Sequence, residues 1–311
     1  MFTIDPQTRM TWFQPYSLEP CWKFEMLGIL FSLAVYNGIT LPVTFPLAFY
    51  NYLWTNGDPF SKPMSLADRI AYIKDGWPSL AKGFEQLLSW TENNLEDVFS
   101  LDYTFNYEVY GQRYAHNLAR PFIYSNTPPP SDFLPNLDAD TVTNANREAY
   151  IKDYTAALTC TSIAPQLSSF HKGFRTCIST PSLSLFTPTS LRHLIEGNVQ
   201  ISIPDLKRCA RYEDGYTATH STIRMFWDIV ATYDQDDCRR LLEFVTASDR
   251  VPVTGYESIT FAIHRIGGAP GALPSSSTCF GKLYLPEYEA REGMEAKLGL
   301  AIRNSRGFGV A

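Results

Sequence analysis

The chain has 311 residues, 45% hydrophobic, 14% aromatic and 19% charged, with a formal charge of -6 and a pI near 5.4. That length accommodates two ordinary domains with sizeable cores. The acidic balance, with no basic face or run, argues against a nucleic-acid partner; even Arg239-Arg240 sits among acids, as on a solvated helix face.

Phe2-Thr3-Ile4-Asp5 lacks the basic start and apolar stretch of a signal peptide. The longest apolar run, Met26 to Tyr36, is shorter than the ~20 residues of a membrane span, so a buried helix and no membrane span are expected. Cysteines stand at 21, 160, 177, 209, 238 and 279, and no pair has the spacing of a zinc knuckle or a redox Cys-x-x-Cys. Neither metal nor cofactor is expected, and a chain this long without a leader points to reduced thiols in the cytosol or nucleus.

Along the chain, Cys21 to Tyr36 has helical period through Phe24, Leu27, Phe31 and Ala34, and Asn37-Gly38 closes it as a C-cap. Pro42 to Leu53 reads as a second buried helix, and Ser65-Leu66-Ala67-Asp68 as a capping box opening a third. Leu80 to Trp90 is helical again. Between Leu101 and Tyr110 the period shortens to two in Tyr103, Phe105, Tyr107 and Val109, which predicts a strand. Asn126 to Asp140, with Pro128-Pro129-Pro130, is a loop or hairpin extension. Helices are expected over Asn146–Leu158 and Ile163–Phe170, and another helical stretch ends at Glu196-Gly197. Ile201, Ile203 and Leu206 read as a short extended piece, and Thr222–Thr232 and Asp236–Val245 as helices. Beyond Arg250 a β-rich Ile259–Ile266 is followed by a small-residue loop from Gly267 to Thr278, a strand at Lys282–Leu285 and a helix from Ala290 to Asn304. The pattern is helical first and mixed last, an α+β fold.

Cys279 is the best chemical candidate. It sits on a loop between two strand-like pieces, where nucleophiles are often presented, whereas free cysteines are more commonly inert packing residues. Loop placement alone leaves both readings open. None of the histidines at 116, 171, 193, 220 and 264 lies in a recognisable base motif.

Leu273-Pro274-Ser275-Ser276-Ser277-Thr278-Cys279-Phe280, then Leu283-Tyr284-Leu285-Pro286-Glu287-Tyr288 and the ending Gly307-Phe308-Gly309-Val310-Ala311, resemble the C-terminal lobe of HECT-type ubiquitin ligases. Upstream, Leu27-Gly28 with Leu33-Ala34, Val142-Thr143-Asn144 with Asn146-Arg147, Gly173-Phe174, Phe226-Trp227 and Phe244 to Gly255 resemble further stretches of that family, in order. The family has histidine where this chain has Ser277, and its domain opens before the residues matching Met1, so the resemblance implies a first lobe that is N-terminally incomplete. A preceding segment would then cover part of the apolar set Phe24, Leu27, Phe31, Phe45, Phe49 and Tyr50.

The resemblance implies a bilobal α+β architecture: a mainly helical N-lobe at 1–198, a smaller mixed C-lobe at 199–311, and a hinge near Gly197 to Gln200. It implies transfer of ubiquitin from a conjugating enzyme, as a thioester on Cys279, to a lysine of a protein substrate. Thr278 and Phe280 flank that nucleophile, and Phe308 would dock for the lysine step. A subdomain at about 80–158 would receive the conjugating enzyme through Leu80, Phe84, Trp90, Phe99, Leu101 and Tyr150, although buried aromatics at such positions are also ordinary core. Two rival readings are a weak or inactive HECT module that only binds conjugating enzyme or ubiquitin, favoured by Ser277, and an unrelated cysteine hydrolase, which needs a histidine partner.

Overall fold

The computed structural model describes residues 1–55, 57, 59–109, 111–124, 139–267 and 272–304. Contacts divide the chain into two compact units, one of residues 1–37 and 43–192, the other of residues 38–42 and those from 193 onward.

The first unit is mainly helical. Its elements begin with β1 (Phe2–Ile4) and β2 (Thr11–Phe13), a short antiparallel pair. Then come α1 (Cys21–Tyr36), α2 (Leu47–Trp54), α3 (Leu66–Lys74), α4 (Pro78–Ser89), α5 (Leu95–Phe99), the antiparallel hairpin strands β3 (Thr104–Val109) and β4 (Gln112–Asn117), α6 (Arg147–Thr159), α7 (Ala164–Phe174) and α8 (Thr180–Leu183), and the division at residue 192 falls within α9 (Pro188–Glu196). The Ser65 side chain accepts the Asp68 N–H at 3.1 Å and donates to the Asp68 carboxylate at 2.7 Å, so the expected cap starts α3. Tyr103, Phe105, Tyr107 and Val109 are all buried, as the period of two requires of one strand face.

The centre of this unit is an aromatic cluster. Phe45 and Phe49 stack with centroids 4.4 Å apart, and Phe170 lies 5.0 Å from Phe31 and 5.1 Å from Phe49. Phe13, Phe24, Phe49 and Tyr50 are fully buried. Of the set expected to need outside cover, Phe24, Phe31, Phe45, Phe49 and Tyr50 are buried and Leu27 is half-buried, and Phe2, Phe13 and Phe170 of β1, β2 and α7 pack rings against it. The other face of α1 exposes Trp22, Met26, Leu30, Leu33 and Tyr36.

Two glycines allow α1 and α7 to touch backbone to backbone. A Cβ on Gly28 would collide with the Phe170 carbonyl, and one on Gly173 with the Glu25 carbonyl. Both helices would have to separate to admit a methyl group.

The second unit is a four-stranded sheet in the order β5-β6-β8-β7, from β5 (Arg211–Glu213), β6 (Ala262–Ile266), β7 (Ser275–Ser277) and β8 (Lys282–Pro286). β5, β6 and β8 run parallel; β7 returns antiparallel along β8. Three helices cover one face, α11 (Ser221–Val230), α12 (Gln235–Thr246) and α13 (Arg291–Asn304), burying Phe226, Trp227, Leu241, Leu242, Met294 and Leu298 against Ile263, Leu283 and Leu285.

The piece containing Ile201, Ile203 and Leu206 is not extended. Residues Ile203–Cys209 form α10, because the Ser202 hydroxyl caps the Asp205 N–H and Pro204 stands in the first turn. The segment Ser275–Ser277 is likewise a strand rather than a loop, since pairing with β8 outweighs weak intrinsic preference.

Gly173→Ala is expected to lower stability by about 3 kcal/mol or more, a melting shift on the order of 10 °C. Gly83→Ala, where a Cβ meets nothing within 4 Å, should be neutral or stabilising. Calorimetry on the two variants checks this.

Candidate active site

β7 and β8 form a tight hairpin in which Ser277 pairs with Lys282, leaving Thr278-Cys279-Phe280-Gly281 at its tip. Thr278–Phe280 make one 3-10 turn, and Gly281 leaves it with φ 60°, the left-handed region that glycine adopts freely. The Gly281 N–H bonds back to the Thr278 carbonyl at 3.2 Å, and the Gly281 carbonyl accepts the Ala262 N–H at 2.9 Å. A Cβ at 281 would collide with the Thr260 carbonyl. Hence the tip is pinned to the chain leading into β6, and the Cys279 thiol stands exposed upon it. Phe280 beside it is 65% exposed.

The thiol borders a cleft of about 510 Å³ lined by Thr246, Ser248, Arg250, Thr260 and Thr278, among others. Arg250 is the charged side chain of that lining; its guanidinium is nearly buried, 3.6 Å from the Glu196 carboxylate and 3.2 Å from Asp249. No histidine lines the cleft among the described residues, so the geometry offers no Cys–His pair of the hydrolase kind.

Exposure alone does not single out Cys279, because Cys21 and Cys177 are exposed too. What distinguishes it is a hairpin tip whose backbone is held by the strand pairing, by the turn's own hydrogen bond and by Ala262. Cys238, by contrast, is buried on α12, and burial pushes its thiol up, away from reactivity. Phe308 lies outside the described residues. Neither a metal-holding group of His, Cys, Asp or Glu nor a helix long and apolar enough to cross a membrane occurs among the described residues.

The six positions read as a docking groove fall around α4, α5 and α6. Phe84 and Tyr150 are buried with ring centroids 6.1 Å apart and belong to the core with Ile70, Ile73 and Leu87. Burial pushes the Tyr150 phenol up, and Tyr103 beside it is raised by burial and by donating to Asp153 at 2.6 Å. Leu80, Trp90, Phe99 and Leu101 are half-buried over that core, and Val98 is exposed. The Trp90 and Phe99 rings meet edge to face at 5.5 Å, and the Trp90 indole N–H donates to Asn94 Oδ1 at 3.1 Å.

Sequence reasoning missed the parts that hold these groups. Arg147 donates to the carbonyls of Leu87 at 3.2 Å and Trp90 at 2.6 Å, closing the end of α4 and fixing Trp90. Its signal was present in the Asn146-Arg147 pair. Gly281 was also legible, as a glycine between Phe280 and an apolar strand.

A family model described as HECT-domain (ubiquitin-transferase) matches residues 1–311. The chain belongs to the HECT family. It is 34% identical over 314 residues to the probable E3 ubiquitin-protein ligase HECTD2 of Mus musculus, covering 100% of this chain and 38% of that protein. To the probable E3 ubiquitin-protein ligase HERC4 of Homo sapiens it is 30% identical over 311 residues, covering 100% of this chain and 27% of that protein. The probable E3 ubiquitin-protein ligase HUL4 of Eremothecium gossypii is 28% identical over 324 residues, with 99% and 36% covered. The HECT chain thus spans between about a quarter and two fifths of the length of these relatives.

Gly281→Ala is expected to dislodge the tip, because it adds both left-handed strain and a collision with Thr260. The melting temperature should fall and the alkylation rate of Cys279 should change, measured against the rates of Cys21 and Cys177 as internal references.

Proposed function

We propose that this HECT chain accepts ubiquitin from a charged conjugating enzyme as a thioester on Cys279 and passes it to a lysine of a protein substrate. The observation that carries the reading is the exposed Cys279 thiol on a backbone-pinned tip within a sequence that matches the family throughout.

In the first step the Cys279 thiolate attacks the thioester carbonyl carbon at the ubiquitin C-terminus. The new C–S bond forms as the old one breaks, and the conjugating enzyme's cysteine leaves as a thiolate. One thioester replaces another, so the exchange is nearly balanced and the protein's contribution is proximity and an accessible thiolate. An ordinary thiol, with pKa about 8.5, is ionised to a few per cent near neutrality, which suffices for a good sulfur nucleophile. In the second step a neutral lysine amine attacks the same carbonyl, the Cys279 thiolate leaves, and the amine proton passes to a base or to water. Phe308 is assigned to this second step by the family pattern.

Docking of the conjugating enzyme is assigned to the half-buried surface of Leu80, Trp90, Phe99 and Leu101, with Phe84 and Tyr150 as the core that supports it. An aromatic pair over a rigid floor is the kind of anchor that interfaces use.

Incubation with ubiquitin-charged conjugating enzyme should give a thiol-sensitive adduct, absent from Cys279→Ala and replaced in Cys279→Ser by a thiol-resistant oxyester or by nothing. A thiol-sensitive adduct on Cys279→Ala would sink the assignment. Binding of the charged enzyme with no adduct on the unaltered chain would favour the non-transferring module that Ser277 suggests. Phe99→Ala should weaken binding by about 2 kcal/mol, roughly 30-fold, with the melting temperature little changed. A fall in stability without a binding defect would return Phe99 to the core.

A further inference from the structure

The docking surface has an electrostatic character that its aromatic centre does not require. From Gly83 to Gln112 the chain carries the carboxylates Glu85, Glu92, Glu96, Asp97, Asp102 and Glu108 and no Lys, Arg or His. All of them are exposed. Their positions follow the apolar members of the surface. Glu92 comes two residues after Trp90, Glu96 and Asp97 lie on α5 just before Val98 and Phe99, and Asp102 follows Leu101.

Glu85 is ion-paired with Lys74 at 3.1 Å. Among the described residues, Glu92, Glu96, Asp97 and Asp102 form no ion pair. The basic groups on neighbouring elements are Arg69 and Lys74 on α3, Lys82 on α4, Arg113 and His116 on β4, and Arg147 and Lys152 on α6. Arg147 is half-buried and directs one guanidinium nitrogen to backbone carbonyls. An apolar centre with four uncompensated carboxylates at its rim is therefore presented to solvent.

Such a rim does little for the affinity of a docked partner but much for its rate of arrival and its identity. At physiological ionic strength the field of each exposed carboxylate extends about 8 Å, so neighbouring rim charges act together. We infer that this surface selects, among conjugating enzymes, those whose docking face carries lysine and arginine around an apolar tip, and that it repels those with an acidic face. The inference rests on the reading that this surface receives the conjugating enzyme. Glu92, Glu96, Asp97 and Asp102 are then specificity-determining residues for the loading step.

The test uses the full chain and two ubiquitin-charged conjugating enzymes, one with a basic and one with an acidic docking face. Association is followed by stopped-flow at low and at high ionic strength, for the unaltered chain, for the quadruple variant Glu92→Gln, Glu96→Gln, Asp97→Asn, Asp102→Asn, and for Phe99→Ala. The basic-faced enzyme should associate about tenfold or more faster with the unaltered chain at low salt. That advantage should disappear at high salt and in the quadruple variant, while dissociation rates stay close to unchanged. Association that ignores both salt and the quadruple variant, with Phe99→Ala still weakening binding, would overturn the charge selection and leave the docking surface standing. If Phe99→Ala also has no effect, or neither enzyme binds, the docking reading fails and the selection falls with it.

Discussion

The carbonyl of Gly281 meets the N–H of Ala262 at 2.9 Å, and the geometry of the second unit is built outward from that contact. It stands at the first rung between β6 and β8, where Ala262 faces Lys282. From there the register places Ile263 beside Leu283 and Arg265 beside Leu285, so that the apolar members of both strands face the three helices. A slip of one residue would turn Leu283 and Leu285 to the other face. The same contact sets the height of the hairpin tip that carries Cys279. A glycine is needed because the Thr260 carbonyl occupies the space where a side chain would begin. The placement of Cys279 and the registry of the core are thus one constraint.

The surface proposed for docking is organised differently. Its outer side chains rest on rings that are themselves core: Phe84 and Tyr150 contribute rigidity, while Trp90 and Phe99 contribute contact. Arg147 links the layers by fastening the α4 terminus to α6 through the Leu87 and Trp90 carbonyls. An aromatic held on several sides loses little freedom when a partner covers it, and less ordering cost accompanies binding.

Much of this was legible in the residues. Period and capping located α1, α3, α4, α11, α12 and α13, and alternation located β3 with its buried face correctly assigned. What failed did so for physical reasons. Ile201 and Ile203 suggested alternation, yet Ser202, Pro204 and Asp205 form a helix start that outweighs two apolar side chains. Ser275 to Ser277 has no strand preference of its own and is extended because β8 lies beside it, a pairing that the three serines themselves do not encode. β1, β2 and β5 are three residues each, too short for any period to register. At the candidate site, motif resemblance pointed to Cys279 and to the surface proposed for docking, but no motif separates Phe84 and Tyr150, which are buried, from Trp90 and Phe99, which are half-buried. The cation-free stretch from Gly83 to Gln112 was readable throughout.

The sheet order has a consequence for the sequence of events in folding. β7 and β8 are neighbours in the chain, separated by four residues, and their hairpin closes with little loss of loop entropy. β5, β6 and β8 run parallel, so each of their pairings must wait for intervening helices or loops to be laid across the sheet. The hairpin bearing Cys279 can therefore form early as a local structure, before Thr260 and Ala262 arrive to seat it. During that interval the thiol is present on a turn whose height and direction are not yet set. On a ribosome the order is reversed, since Thr260 and Ala262 emerge before the hairpin, and the aiming of Cys279 waits for Gly281 to arrive, late in the maturation of this unit.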